Sequence, residues 1–235
     1  MNASAIVKEL QGLGNESYKA TLLKHGVKEP LFGVKIEELK KIQKRIKKDY
    51  QLALDLFDTG ISDAMYLGGL IADDAAMTRK NLHHWAQTAS SPLISEYTVA
   101  WVAAGSPAVR ELAAEWIESK KEHVASAGWA TLGSLVAIKD DADLDLAELK
   151  KLMERVHKTI HQQPNRVRYC MNGFVIAVGS YVKPLSDLAI KTAEKIGPVT
   201  VDVGGTACKV PYAPEQIKKV QKRGAIGKKR QTAKC

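Results

Sequence analysis

The sequence predicts an all-α protein whose short helices stack as a solenoid of helical hairpins with a basic face. Apolar residues recur at helical spacing through nearly the whole chain, and cap and stop residues cut it into about a dozen helices. Of the 235 residues, 45% are hydrophobic and 26% charged, enough to build a core and too apolar for a disordered chain. No apolar run approaches the ~20 residues that cross a bilayer, so no membrane role is expected. Three cysteines, Cys170, Cys208 and Cys235, have no ligand-like spacing and encode neither a disulfide framework nor a metal site. No cofactor is expected, and the compartment is expected to be reducing, the cytoplasm.

The elements follow from local chemistry. In IEELKKIQKRI, Ile36, Leu39, Ile42 and Ile46 form one apolar stripe opposite lysines and arginines. The run from Asp63 to Met77 is apolar nearly all round, as in a helix buried between neighbours. Asp49, Ser62, Thr78, Ser91, Ser106 and Asp143 are N-cap candidates, with Pro92 and Pro107 at first helical positions. Gly26, Gly60, Gly105 and Gly197 mark helix ends. Hairpins beginning near Ser62, Ser91, Lys120 and Asn165 recur at roughly 30 to 45 residues, the period of HEAT-like helical arrays. Helices after Ser91, Ser119 and Asn165 are rich in Ala, Gly and Val, which permit the close approach an inner layer needs.

Pro198 to Glu215 breaks this pattern. Its β-branched residues around Gly204-Gly205 predict a hairpin-like excursion near 198–212, or an ordered loop, between two helices. We expect one helical repeat domain over residues 1–224 and a mobile basic tail over 225–235.

The formal net charge is +9. From Lys218 to the end there are eight Lys or Arg and no acid, and between Lys35 and Lys48 seven bases face only Glu37 and Glu38. Such runs are solvated faces or the footprint of a polyanion.

The segment HGVKEPLFGVKIEELKKIQKRIKKDY resembles the opening of the DNA alkylation repair enzyme family, the HEAT-like-repeat DNA glycosylases typified by AlkD. The later order of small-residue helices and a basic end is similar as well. The resemblance implies a C-shaped superhelix holding DNA in a basic groove. It also implies excision of N3- or N7-alkylated purines, with a carboxylate stabilising the oxocarbenium and aromatic faces near the cationic lesion. The family's catalytic helix carries Trp-Asp-Thr-Val-Asp. Here the matching stretch is Glu96-Tyr97-Thr98-Val99-Ala100, so the Trp position holds Glu96 and the catalytic Asp position holds Ala100. A second family motif, Gly-Trp-Val-Leu-Arg, matches Gly173-Phe174-Val175-Ile176-Ala177, keeping an aromatic and losing the Arg. This is a divergent member of the pattern, without the usual catalytic Asp.

Candidate residues follow. Glu96 is either a displaced catalytic carboxylate or a first-turn acid, and Asp202 is either a second catalytic candidate or a turn residue. Trp101, Trp129 and Phe174 are groove aromatics or core; Trp116 is core. Arg166 and Arg168 open a helix where the macrodipole disfavours them, and a phosphate would justify them. With Tyr169, Asn172, Lys35, Lys209, Lys228, Lys229 and Arg230 they form the expected nucleic-acid contacts. Asp73-Asp74 reads as a helix end, and His83-His84 as a solvated face. Cys208 lacks a nearby His and is no nucleophile. A DNA glycosylase, a non-catalytic binder of duplex or branched DNA, and a protein-interaction scaffold are the functions compatible with this pattern; a monomer is expected.

Overall fold

The structure, a computed structural model, describes residues 2–234. Among the described residues there is no strand, and no single helix is long and apolar enough to cross a membrane. The chain forms two compact units: residues 2–108 with 203–207 and Lys234, and residues 109–202 with 208–233.

In the first unit, side-chain oxygens of Asn2, Asn15 and Asp49 accept N–H bonds of 2.8–3.0 Å at the starts of α1 (Ala3–Gly12), α2 (Glu16–Lys24) and α4 (Tyr50–Asp58). Each satisfies a donor that no helical carbonyl can reach. The stripe predicted on α3 (Ile36–Ile46) buries Leu39 and Ile42. At the centre lies α5 (Ser62–Ile71), with all ten of its residues buried. Its glycines allow this: a Cβ on Gly68 would lie 2.8 Å from the Ala53 carbonyl of α4, and one on Gly69 would strike Thr98. The helix is shorter than the run predicted to Met77, and its last carbonyls are taken from outside. Gln43 Nε2 donates to Leu70, the Asp49 N–H to Ile71, and Lys234 Nζ to Ala72, at 2.9–3.2 Å.

Thr78 and Asn81 form a reciprocal capping box on α6 (Arg79–Thr88). Trp85 of α6 stacks on Phe57 of α4 with centroids 4.1 Å apart. The next stretch, Leu93–Val99, is π-helical and runs straight into α7 (Ala100–Ala104). Ser62 is the first helical residue rather than the cap, and its hydroxyl donates to the Lys28 carbonyl.

The second unit has two layers. Helices α9 (Glu122–Ile138), α11 (Asn165–Tyr181) and α13 (Ala213–Lys222) form one; α8 (Val109–Trp116), α10 (Leu146–Thr159) and α12 (Ser186–Ile196) form the other. α9 and α11 run in the same direction: Glu122 meets Arg166 at their N-terminal ends, and Gly133 meets Phe174 and Ala177 midway. Asp145, not Asp143, caps α10, accepting the Glu148 N–H at 2.9 Å.

Of the two alternatives for the 198–212 excursion the ordered loop holds, since it has no strand pairing. Pro198 and Pro211 each lack the N–H a ladder needs, and the pairing comes from α11 instead. The Asn165 side chain accepts from the Asp202 N–H at 2.7 Å and donates to its carbonyl at 2.8 Å, while Asn172 donates to the Pro211 carbonyl at 2.9 Å. Nor is the basic end a free tail. The Gly227 N–H donates to Ser180 and the Arg230 N–H to Ala137, at the C-terminal ends of α11 and α9. Lys229 Nζ donates to the Val136 carbonyl at 2.9 Å and pairs with Asp141 at 2.8 Å. Orphan helix-end carbonyls thus hold the segment down.

Candidate nucleic-acid interface

One basic surface of the second unit lies on α11. Helical spacing puts Arg166, Tyr169, Gly173, Ile176 and Ala177 on one exposed or half-exposed face. The Arg166 guanidinium lies over the Tyr169 ring, 4.4 Å from its centroid. The two side chains make a flat cationic plate. The face beyond is nearly bare: a Cβ on Gly173 would meet nothing within 4 Å. Beyond its far end the docked segment places the exposed side chains of Lys228 and Arg230. Arg166 and Ser180 are about 20 Å apart along the axis, so bases sit at both ends of a small-residue face.

The N-terminus of α11 does not await a phosphate. The Glu122 carboxylate accepts the Arg166 N–H at 2.6 Å, and this internal anion answers the helix dipole. Arg168 is different. It is half-buried on the side facing the loop; among the described residues its buried Nε has no acceptor, and its one hydrogen bond is a 3.5 Å contact from Nη2 to the side-chain Oδ1 of Asn165. A guanidinium offers five donors in a fixed fork; this one meets a single acceptor among the described residues.

The other predicted contacts divide. Lys209 is exposed on the loop that α11 pins at Asp202 and Pro211. Lys35 is exposed at the start of α3 in the first unit. Two predicted contacts are corrected. Asn172 is 4% exposed and its amide is spent on Pro211, and Lys229 is spent on Asp141 and Val136.

The groove aromatics are corrected too, in favour of core. Trp129 and Phe174 are each 1% exposed and tilt against each other at 5.4 Å between α9 and α11. Arg155, which reaches Glu118, covers Trp129 at 5.7 Å. Trp101 is 7% exposed, wedged edge-to-face against Tyr66 at 5.6 Å and Tyr97 at 5.7 Å. The exposed aromatic of that cluster is Tyr97, at 41%. Sequence reasoning passed over it, although its i, i+4 spacing to Trp101 signals one shared face.

Of the catalytic candidates, Glu96 is 6% exposed within the π-helical segment, and Ala100, which matches the family's Asp, is wholly buried. Asp202 has an exposed side chain on a loop whose backbone Asn165 holds. Asp73 and Asp74 are each paired with a lysine, Lys48 at 3.4 Å and Lys234 at 2.7 Å.

Short helices packed in layers, with a basic small-residue face, define the class: a HEAT-like-repeat protein. The match to the DNA alkylation repair enzyme family runs over residues 6–217. The chain is 34% identical to the uncharacterized proteins Lin0241 of Listeria innocua and Lmo0209 of Listeria monocytogenes, over 92% of its own length and 95% of theirs. It superposes with TM-score 0.92, at 34% identity and over the whole of both chains, on a solved structure described as a new family of proteins related to the HEAT-like repeat DNA glycosylases with affinity for branched DNA structures. The chain belongs to the DNA alkylation repair enzyme family.

Proposed function

We propose that this protein binds DNA, branched DNA in preference to plain duplex, through backbone and shape, and does not excise bases. The observation that carries the reading is Arg168, a half-buried guanidinium paired with no carboxylate among the described residues. Holding such a cation partly away from water costs free energy unless an anion completes it, and a phosphate fits its fork. The bare face between Arg166 and Arg230 lets a sugar–phosphate backbone approach closely, while the basic ends position it without reading sequence. Branched DNA enters through the solved relative.

Against excision stand the buried Ala100 at the catalytic position and the core placement of Trp129 and Phe174. The exposed Asp202 faces water, where its stabilisation of an oxocarbenium is screened. A bacterial-type cytoplasm, where DNA and a reducing potential coexist, is the proposed site of action.

The test is anisotropy titration of a labelled four-way junction and a linear duplex. Arg168→Ala should weaken junction binding about tenfold at moderate salt and lower the slope of log affinity against log salt by about 1. Unchanged binding would refute the reading. Incubation with 7-methylguanine duplex should release no base above the spontaneous rate. Release that Glu96→Gln abolishes would instead make the protein a glycosylase.

A further inference from the structure

We infer that the first unit carries a second DNA surface, built from Lys44, Lys47 and Lys80, which takes a duplex arm of the branched substrate. The inference rests on the branched-DNA reading above.

The geometry starts at Asn81. Its side-chain oxygen accepts from the Tyr50 hydroxyl at 2.9 Å and from the Thr78 N–H at 3.1 Å, which holds the start of α4 against the start of α6. Lys47 and Lys48, just before α4, and Arg79 and Lys80, at the start of α6, therefore share one end of the unit. Lys44 joins them one turn before Lys47. The acids of this end are committed: Asp49 caps α4, Asp73 pairs with Lys48, and Asp74 pairs with Lys234. Lys44, Lys47 and Lys80 are exposed and have no carboxylate partner among the described residues.

Lys47 supplies an independent argument. Its backbone stands at φ 67°, ψ −114°, and it is the one non-glycine with positive φ among the described residues. Glycine adopts this conformation without strain; a lysine there is strained. The position does nothing for the fold that glycine would not do better. What lysine adds is an ammonium at the tip of the α3–α4 turn, next to two more. A cluster of unpaired cations at a helix-end surface matches the regular phosphates of a duplex.

A linear duplex needs one such surface, whereas a junction offers several arms. The experiment compares the wild type, Lys47→Gly, and the triple variant Lys44→Gln/Lys47→Gly/Lys80→Gln on a four-way junction and a linear duplex with arms of equal length. Lys47→Gly should keep or raise the melting temperature while weakening junction binding about threefold, and the triple variant should lower the junction's salt slope by about 2 to 3, with little change on linear duplex. If the glycine variant binds the junction as the wild type does, or if both DNAs weaken equally, this inference falls and the Arg168 surface stands alone. If the wild type binds neither DNA at low salt, both readings fall together.

Discussion

Asp74 shows how much a single side chain here depends on what covers it. Burial beneath Gly105 pushes its carboxyl above the ordinary value of 3.8, and the Lys234 ammonium recovers only part of that cost. A carboxyl raised on folding favours the folded state most when protonated. Its penalty therefore grows as pH rises through 3.8 and levels off above the raised value. Asp74→Asn should thus gain stability relative to the wild type between pH 3.5 and pH 7, read from urea midpoints at both. A midpoint difference that does not change with pH would contradict this. Arg166 and Arg168 were legible in the sequence because two arginines oppose the dipole of a predicted helix. Glu122 was not, because it lies 44 positions from the N–H it accepts, and no local pattern reports such a pairing.

At the scale of elements, helical spacing and capping chemistry gave most of the architecture. Asp49 and Thr78 cap where expected, and the Gly- and Ala-rich helices do lie between neighbours. The failures were at Ser62, Ser106 and Asp143, which do not cap the helices that follow, at Ser91, whose hydroxyl has no partner among the described residues, and in the hairpin alternative for 198–212. There the β-branched pattern was real, but the partner it meets is an asparagine on a helix rather than a second strand. Small residues were informative because they are sterically required. Gly69→Ala should cost about 1–3 kcal/mol in denaturant unfolding, since its new methyl meets Thr98, and Thr98→Ser in the same chain should restore part of the loss. The aromatic residues were ambiguous for a physical reason. A tryptophan on an apolar stripe reads the same whether it faces a groove or a neighbouring helix; only packing tells Trp129 from Tyr97.

For the whole molecule, the net charge of +9 overstates the charge offered outward. Lys229 and Lys234, with side chains only 15% and 11% exposed, are turned inward to carbonyls and aspartates. The C-terminal segment thus belongs to the fold, and it should behave so. Lys229→Ala leaves Asp141 without its cation and should cost about 1–3 kcal/mol, lowering the melting temperature by about 2–4 °C for each kcal/mol. A mobile tail would give no shift in the same thermal scan. The family resemblance was legible in a short N-terminal run and proved to extend over residues 6–217.

The π-helical segment Leu93–Val99 has a consequence for where the side chains after it point. A π-turn closes its hydrogen bond one residue later than an α-turn, so the residues that follow are rotated about the axis from where α-spacing would put them. Ala100, the first residue beyond the segment, is wholly buried, and a carboxylate placed there would enter the core rather than a groove.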